Sequence, residues 1–89
     1  MTLKKVIKNE FGDYHHEDEN GLWQGERVVY WSNGNIHWKG YYKDDKLHGI
    51  ETYYKENGEE DYKEYYWHDK EISKEEYGRN ILREVLNHV

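Results

Sequence analysis

The stretch "GERVVYWSNGNIHWKGYYKDDK", residues 25 to 46, is followed by a second version of itself, "GIETYYKENGEEDYKEYYWHDK", residues 49 to 70. Aligned with a shift of 24 positions, the two segments share nine identities over 22 positions. The identities include an Asn-Gly pair, a Tyr-Tyr pair and the closing Asp-Lys. Self-similarity at a fixed spacing is the signature of a chain built from repeated structural units.

Each unit is predicted to be a β-hairpin, because Asn-Gly lies between runs rich in Val, Tyr and Trp. A two-residue type I′ turn needs positive φ at both central residues, and Asn-Gly supplies it best. Such a turn at Asn33-Gly34 sets Trp31 opposite Ile36. Two positions further along the strands, it sets Val29 opposite Trp38. The same register in the second unit sets Tyr53 opposite Tyr62.

A second turn at Asp44-Asp45 would place Tyr42 opposite Leu47, and strand alternation then assigns every side chain to one of two faces. The first face holds Val29, Trp31, Ile36, Trp38, Tyr42, Leu47, Tyr53, Tyr62 and Tyr66. The second face holds Val28, Tyr30, Tyr41, Ile50, Tyr54, Tyr65, Trp67 and Ile72, mixed with His37, Lys39, His48, Asp61 and Lys63. Because each Tyr-Tyr pair sends one ring to either side, both faces are half aromatic, and both need a cover.

The C-terminal stretch "ISKEEYGRNILREVLNHV", residues 72 to 89, predicts a helix that supplies one cover. Ser73 followed by Glu76 is a capping-box pattern. Apolar residues then recur at helical spacing and form one stripe. The stripe contains Tyr77, Ile81, Leu82, Val85, Leu86 and Val89. Such a helix covers part of one face and leaves the other for a partner or a second copy of the chain.

The fold class predicted is mainly β with one C-terminal α-helix: a single twisted sheet of antiparallel hairpin repeats, packed by the helix. At 89 residues there is room for one domain. Within it we expect an N-terminal strand, loop and degenerate first repeat over 1–25, repeat hairpins over 26–49 and 50–72, and the helix over 73–89. Trp23 and Gly25 align with Leu47 and Gly49, which indicates the degenerate repeat.

Composition excludes several functional classes. A net charge of −6 disfavours binding to a phosphate backbone, which depends on Lys and Arg. The absence of Cys excludes disulfides and thiolate metal sites. Since there is neither a secretory apolar segment nor a run long enough to span a membrane, we expect a cytoplasmic protein.

The segment "NGNIHWKGYYKDDKLHG", residues 33 to 49, resembles the MORN-like repeats of bacterial and phage proteins, including repeats of the antitoxin-like type. The Tyr-rich hairpin with Asn-Gly and the linker pattern Y-K-D-x-K-L-H-G carry the resemblance. It spans roughly residues 15 to 77, with Asp45 where the family usually has glycine, and the unit over 50–72 lacks the "LHG" ending. The resemblance implies a hairpin scaffold that binds other proteins, in the cytoplasm of a bacterial cell or of a phage-infected bacterial host.

The sequence gives little reason to expect catalysis, a metal or a cofactor. His15 and His16, followed by three acidic residues, form a stretch rich in metal ligands. However, adjacent strand residues point to opposite faces, and no helical His-x-x-x-His pair is present. No nucleophile motif, phosphate loop or dinucleotide fingerprint appears. We therefore expect a non-enzymatic protein with neither metal nor cofactor.

Two binding hypotheses remain. In the first, the aromatic face binds and blocks one partner protein, such as a toxin or a host defence enzyme; its candidate residues are Trp31, Trp38, Tyr42, Tyr53, Tyr62 and Tyr66. In the second, the chain mimics nucleic acid and occupies the basic groove of a bacterial defence or DNA-processing enzyme. The acidic residues for that role are Glu51, Glu56, Glu59, Glu60, Asp61 and Glu64. Neither predicts direct nucleic-acid or membrane binding, and homodimerisation through a spare face is the structural rival to both.

Overall fold

The computed structural model describes residues 4 to 87, which form one antiparallel sheet followed by one helix. The strands are β1 (Lys5–Lys8), β2 (Tyr14–Glu17), β3 (Gly25–Tyr30), β4 (Ile36–Lys43), β5 (Lys46–Leu47), β6 (Gly49–Tyr54), β7 (Glu60–Trp67) and β8 (Lys70–Ile72), and the helix α1 is Lys74–Asn87. The strand order is β1-β2-β3-β4-β6-β7-β8, with β5 paired to β4. Nearly every strand therefore pairs with its neighbour in the chain, which confirms the predicted hairpin meander with a C-terminal helix.

Type I′ turns occur between the units rather than at the Asn-Gly pairs. Asp44 and Asp45 have φ of 50° and 70°, and the turn sets Tyr42 opposite Leu47 as predicted. The next unit ends in the same way, with His68 and Asp69 at φ of 49° and 71°. Asp tolerates this left-handed backbone better than most residues, because its short polar side chain bonds locally.

The turn at Asn33-Gly34 differs from the prediction. Only Gly34 has positive φ, at 91°. Its N–H donates to the Trp31 carbonyl (3.0 Å), and the Trp31 N–H donates to the Asn35 carbonyl (2.8 Å), which makes a longer loop closed by a glycine bulge. The side chain of Asn33 accepts the Asn35 N–H (2.9 Å), an Asx bond that favours this loop over the two-residue turn.

The longer loop changes the register only near the tip. Tyr30, and not Trp31, lies opposite Ile36, so the Trp31–Ile36 pairing predicted from a two-residue turn was wrong. A bulge one residue further along the strands compensates, and Val29 lies opposite Trp38 as predicted. The second unit repeats the bulge, and the predicted pairing of Tyr53 with Tyr62 is confirmed in the same way.

Successive units are joined by an aspartate clamp that recurs at the repeat spacing. Asp45 donates its N–H to the Trp23 carbonyl (3.0 Å), and its carboxylate accepts the Trp23 N–H (2.6 Å). Asp69 makes the same two bonds to Leu47, at 2.8 and 2.7 Å. Each inter-unit turn therefore supplies hydrogen-bond partners for backbone groups of the unit before it, at a point where the pairing between strands is interrupted.

The helix packs on the second face through Tyr77, near its N-terminus. Ser73 Oγ accepts the Glu76 N–H (3.1 Å), which is the N-cap bond that the sequence predicted. The Tyr77 ring lies 5.5 Å from the Tyr65 ring and 5.9 Å from the Trp67 ring, both on the second face. Beyond Tyr77 the stripe turns to solvent, with exposed fractions of 59% for Leu82, 58% for Val85 and 63% for Leu86. Val89 lies outside the described residues, and no helix in the described chain is long and apolar enough to span a membrane.

The core is thin, as the composition requires. Among the described residues, Val28 is the one buried hydrophobic side chain, with 2% exposure. Asp18, Glu51 and Thr52 are the buried polar ones. The described chain measures 43 × 33 × 20 Å, the shape of a single layer. Its stability therefore depends on rings that are half-buried on the two faces and on the hydrogen bonds that join the units.

Candidate functional site

A row of three neighbouring aromatic rings crosses the first face at right angles to the strands. Trp38 of β4 lies opposite Tyr53 of β6, and Tyr53 lies opposite Tyr62 of β7. The ring centroids of Trp38 and Tyr53 are 6.5 Å apart in an edge-to-face arrangement, and those of Tyr53 and Tyr62 are 4.5 Å apart and nearly parallel. We call these three residues the aromatic ladder. Its outer member, Tyr62, is 51% exposed.

A second aromatic group extends the ladder towards the N-terminus. Trp23 contacts Tyr42 edge-to-face at 5.1 Å and stacks on His15 at 3.9 Å. The guanidinium of Arg27 lies between two indoles, with its central carbon 5.2 Å from the Trp23 ring and 5.4 Å from the Trp38 ring. Cation–π contacts of this kind hold an arginine in one orientation.

Trp23 and Arg27 were not among the residues predicted from the sequence to bind a partner, and His15 was considered only as a metal ligand. Trp23 was visible as the repeat equivalent of Leu47. Gly25 pairs with Tyr42 and Arg27 with Gly40, so the strand register brings Arg27 to the first face. Extending the alternation of β3 by one step from Val29 would have found it.

Glu51 lies beneath the ladder rather than on an acidic surface, which corrects the prediction. Its side chain has 0% exposure, and one carboxylate oxygen accepts the Tyr41 N–H at 3.0 Å. The other carboxylate oxygen has no hydrogen-bond partner. The carboxylate occupies the space that Gly40 leaves empty, because a Cβ at that position would fall inside contact distance of both Glu51 and Trp38.

Burial raises the pKa of Glu51 from its ordinary value of 4.5 to about 7. A second carboxylate contributes, since Glu64 lies directly opposite on β7. Like charges facing each other across two strands are unfavourable, which favours the protonated form of the buried Glu51. Burial and a hydrogen bond with Glu64 also raise the pKa of Tyr53, which keeps this ladder hydroxyl protonated.

The predicted partner-binding residues divide into a central group and outlying ones. Trp38, Tyr53 and Tyr62 form the ladder, and Tyr42 belongs to the group around Trp23. Tyr66 lies on the same strand as Tyr62, opposite Gly49. Trp31 is separate: its ring stacks on His37 at 3.8 Å, and its indole N–H donates to the Tyr54 carbonyl at 3.2 Å. No ring contact among the described residues joins it to the ladder.

The remaining acidic candidates do not form one charged patch. Glu56, Glu59, Glu60 and Asp61 are exposed around the tip of the β6–β7 hairpin, and Glu64 is half-buried. Glu60 pairs with Lys63. The Glu56 carbonyl accepts hydrogen bonds from the side-chain amides of Asn33 and Asn35, both at 2.8 Å. The tip of this hairpin is therefore bonded to the tip of the preceding one.

Within residues 4 to 87 no group of three or more His, Asp or Glu side chains is placed to hold a metal ion. Comparisons of the chain with protein-family models, with curated proteins and with solved structures found no match. The resemblance to MORN-like repeats therefore stays a prediction, and the assignment of function depends on the geometry of the two faces.

Proposed function

We propose that the protein is a small non-enzymatic binding module that holds a partner protein against its first face and blocks it, as an antitoxin or a phage-encoded inhibitor would. One observation carries this proposal. The helix lies on the second face, through Tyr77, while the ladder on the first face ends in the half-exposed ring of Tyr62. We place the interaction in the bacterial cytoplasm.

The residue types on this face suit a binding hot spot. Trp, Tyr and Arg are the side chains that contribute most when they become buried in an interface. Here Tyr53 and Tyr62 are already stacked, with Trp38 packed edge-to-face on Tyr53. Arg27 is already fixed between two indoles. Rings that are ordered before binding lose little conformational entropy when a partner arrives.

Mimicry of nucleic acid receives less support. It requires carboxylates free on one side at regular spacing, but Glu51 is buried and Glu60 pairs with Lys63. Lys55 lies in the same hairpin tip and adds a further positive charge. A partner whose binding weakens as salt concentration rises would indicate mimicry, and the test below includes that outcome.

The test is capture from a bacterial lysate with the purified chain as bait, at low and at high salt. We expect one partner that survives high salt, and we expect Tyr62→Ala to lose it. Tyr41→Ala is the matched control, since Tyr41 is 37% exposed but belongs to the second face. Circular dichroism of both variants separates lost binding from lost folding.

Three outcomes would contradict the proposal. Equal loss of capture in both variants would show that the partner does not bind specifically to the first face. A partner released by salt and by charge reversal at Glu59 and Glu60 would favour mimicry. A tight homodimer in light scattering that captures nothing would assign the aromatic surface to self-association.

A further inference from the structure

A cavity of about 180 Å³ opens beside the ladder, at the N-terminal end of the sheet. Trp23 and Ile7 supply apolar wall, and Arg27, Lys8 and His15 line it together with Asp13. The cavity is large enough for a small planar molecule. Its lining combines basic side chains with an indole, in a protein whose overall charge is negative.

Arg27 is fixed in place, and no anionic partner for it lies among the described residues. Its guanidinium lies between the rings of Trp23 and Trp38, and it donates a long hydrogen bond, 3.4 Å, to the Tyr42 hydroxyl. No ion pair within residues 4 to 87 involves it. None of its unpaired N–H groups is completely enclosed, because the one fully enclosed side-chain polar atom without a partner in that range is a Glu51 oxygen.

The other charged groups at the cavity leave this arginine available. The Asp13 carboxylate is committed to its own turn, where it accepts the Tyr30 N–H at 2.9 Å and the Asn9 side-chain amide at 3.1 Å. His15 bonds to Glu17 at 2.7 Å. Lys8 makes no ion pair among the described residues. The cavity therefore offers two cationic side chains that form no ion pair within residues 4 to 87, beside one carboxylate, Asp13, whose oxygens already accept two hydrogen bonds.

We propose that this cavity is a binding site for a carboxylate carried on a flat apolar body, with Arg27 as its two-pronged donor. A guanidinium presents parallel N–H groups that match the two oxygens of a carboxylate. Lys8 adds a second positive charge, and Trp23 and Ile7 line the space for the apolar body of the ligand. The inference goes beyond the proposed function, because the site lies beside the ladder and takes an anion whether or not a protein covers Tyr62.

Two sources supply this chemistry: a free aromatic acid, and a carboxylate of a protein chain. The experiment uses sodium benzoate as the first probe, and a short peptide ending in phenylalanine, with a free or an amidated C-terminus, as the second. Binding is followed in the labelled protein by nuclear magnetic resonance, through the Arg27 Nε–H and Trp23 indole N–H signals, at constant ionic strength.

We expect saturable shifts with benzoate and at least tenfold weaker binding of benzamide, which has the same shape without the charge. Arg27→Lys keeps the positive charge but loses the two parallel N–H donors, so we expect benzoate affinity to fall about tenfold or more. Arg79→Lys, on the helix, is the matched control and leaves the affinity unchanged. Preference of the peptide with a free C-terminus over both the amidated peptide and benzoate assigns the site to a chain end; the reverse order assigns it to a free acid.

Equal binding of benzamide, or unchanged affinity in Arg27→Lys, overturns the proposal, and so does inorganic phosphate binding as tightly as benzoate. If Arg27→Lys fails to fold, Lys8→Gln replaces it, with an expected loss of several-fold. Failure here leaves the proposed function intact, since lysate capture is tested at Tyr62 with no benzoate present. Loss of capture in Tyr62→Ala likewise says nothing about the cavity.

Discussion

Replacing Glu51 with glutamine removes a titrating proton from beneath the ladder, and the structure predicts how stability should change with pH. In the unfolded chain this carboxyl ionises near its ordinary value of 4.5, and in the folded protein its pKa is raised to about 7. Between these values the folded state holds a proton that the unfolded state has lost. Raising the pH therefore favours unfolding.

The magnitude follows from the same two values. Each pH unit over the interval from 4.5 to about 7 costs about 1.4 kcal/mol of unfolding free energy, for a total of about 3 kcal/mol. The contribution is fully present below pH 4.5 and is lost as the pH rises through about 7. Glutamine carries no charge at any pH, and its amide oxygen can still accept the Tyr41 N–H.

Urea unfolding followed by tryptophan fluorescence at pH 4.5, 6 and 8 checks this. We expect the Glu51→Gln variant to gain about 3 kcal/mol relative to the native chain between pH 4.5 and 8. Glu59→Gln, at an exposed tip, is the control and should keep a difference within about 0.5 kcal/mol throughout. A stability difference between Glu51→Gln and the native chain that is the same at all three pH values would refute the reasoning.

The other predictions concern packing, capping and contacts between units, each measured as a change in unfolding free energy. Gly40→Ala places a methyl group against Glu51 and should cost about 1–3 kcal/mol, whereas Gly78→Ala, with open space around it, should gain about 1 kcal/mol; a neutral result at Gly40 would mean that the carboxylate is not seated there. Ser73→Ala removes the helix cap and should cost about 1 kcal/mol. Trp31→Phe loses the indole bond to the neighbouring hairpin and should also cost about 1 kcal/mol, without loss of partner capture.

Periodicity predicted the meander because hairpin register depends on alternation over many residues. The pairings of Val29 with Trp38 and of Tyr53 with Tyr62 persisted although the turn type was wrong, since a second bulge restored the register. The Asn33-Gly34 turn was misjudged because the Asn side chain bonds to the backbone two residues later. Such a local hydrogen bond competes with the φ preference on which the prediction depended.

The burial of Glu51 could not be predicted from the strand pattern. A glutamate in a half-polar strand is ordinarily exposed. This one is buried because Gly40, on a neighbouring strand, has no side chain and leaves room for the Glu51 carboxylate beside Trp38. The position of Gly40 relative to Glu51 depends on a change of partner along β4, which pairs with β5 at Tyr42 and with β6 at Trp38. The cavity at Arg27 likewise depends on Trp23, whose bond to Asp45 spans 22 residues of sequence.

The aspartate clamp also makes the length of the first face adjustable by gene duplication. Asp45 and Asp69 hold the units before them with the same pair of bonds, 24 residues apart. A copy of residues 26 to 49 inserted after residue 49 would find its backbone partners already in place on either side. Each added copy would lengthen the sheet by one repeat and leave both ends of the chain unchanged. The area of the first face would therefore increase by one repeat at a time.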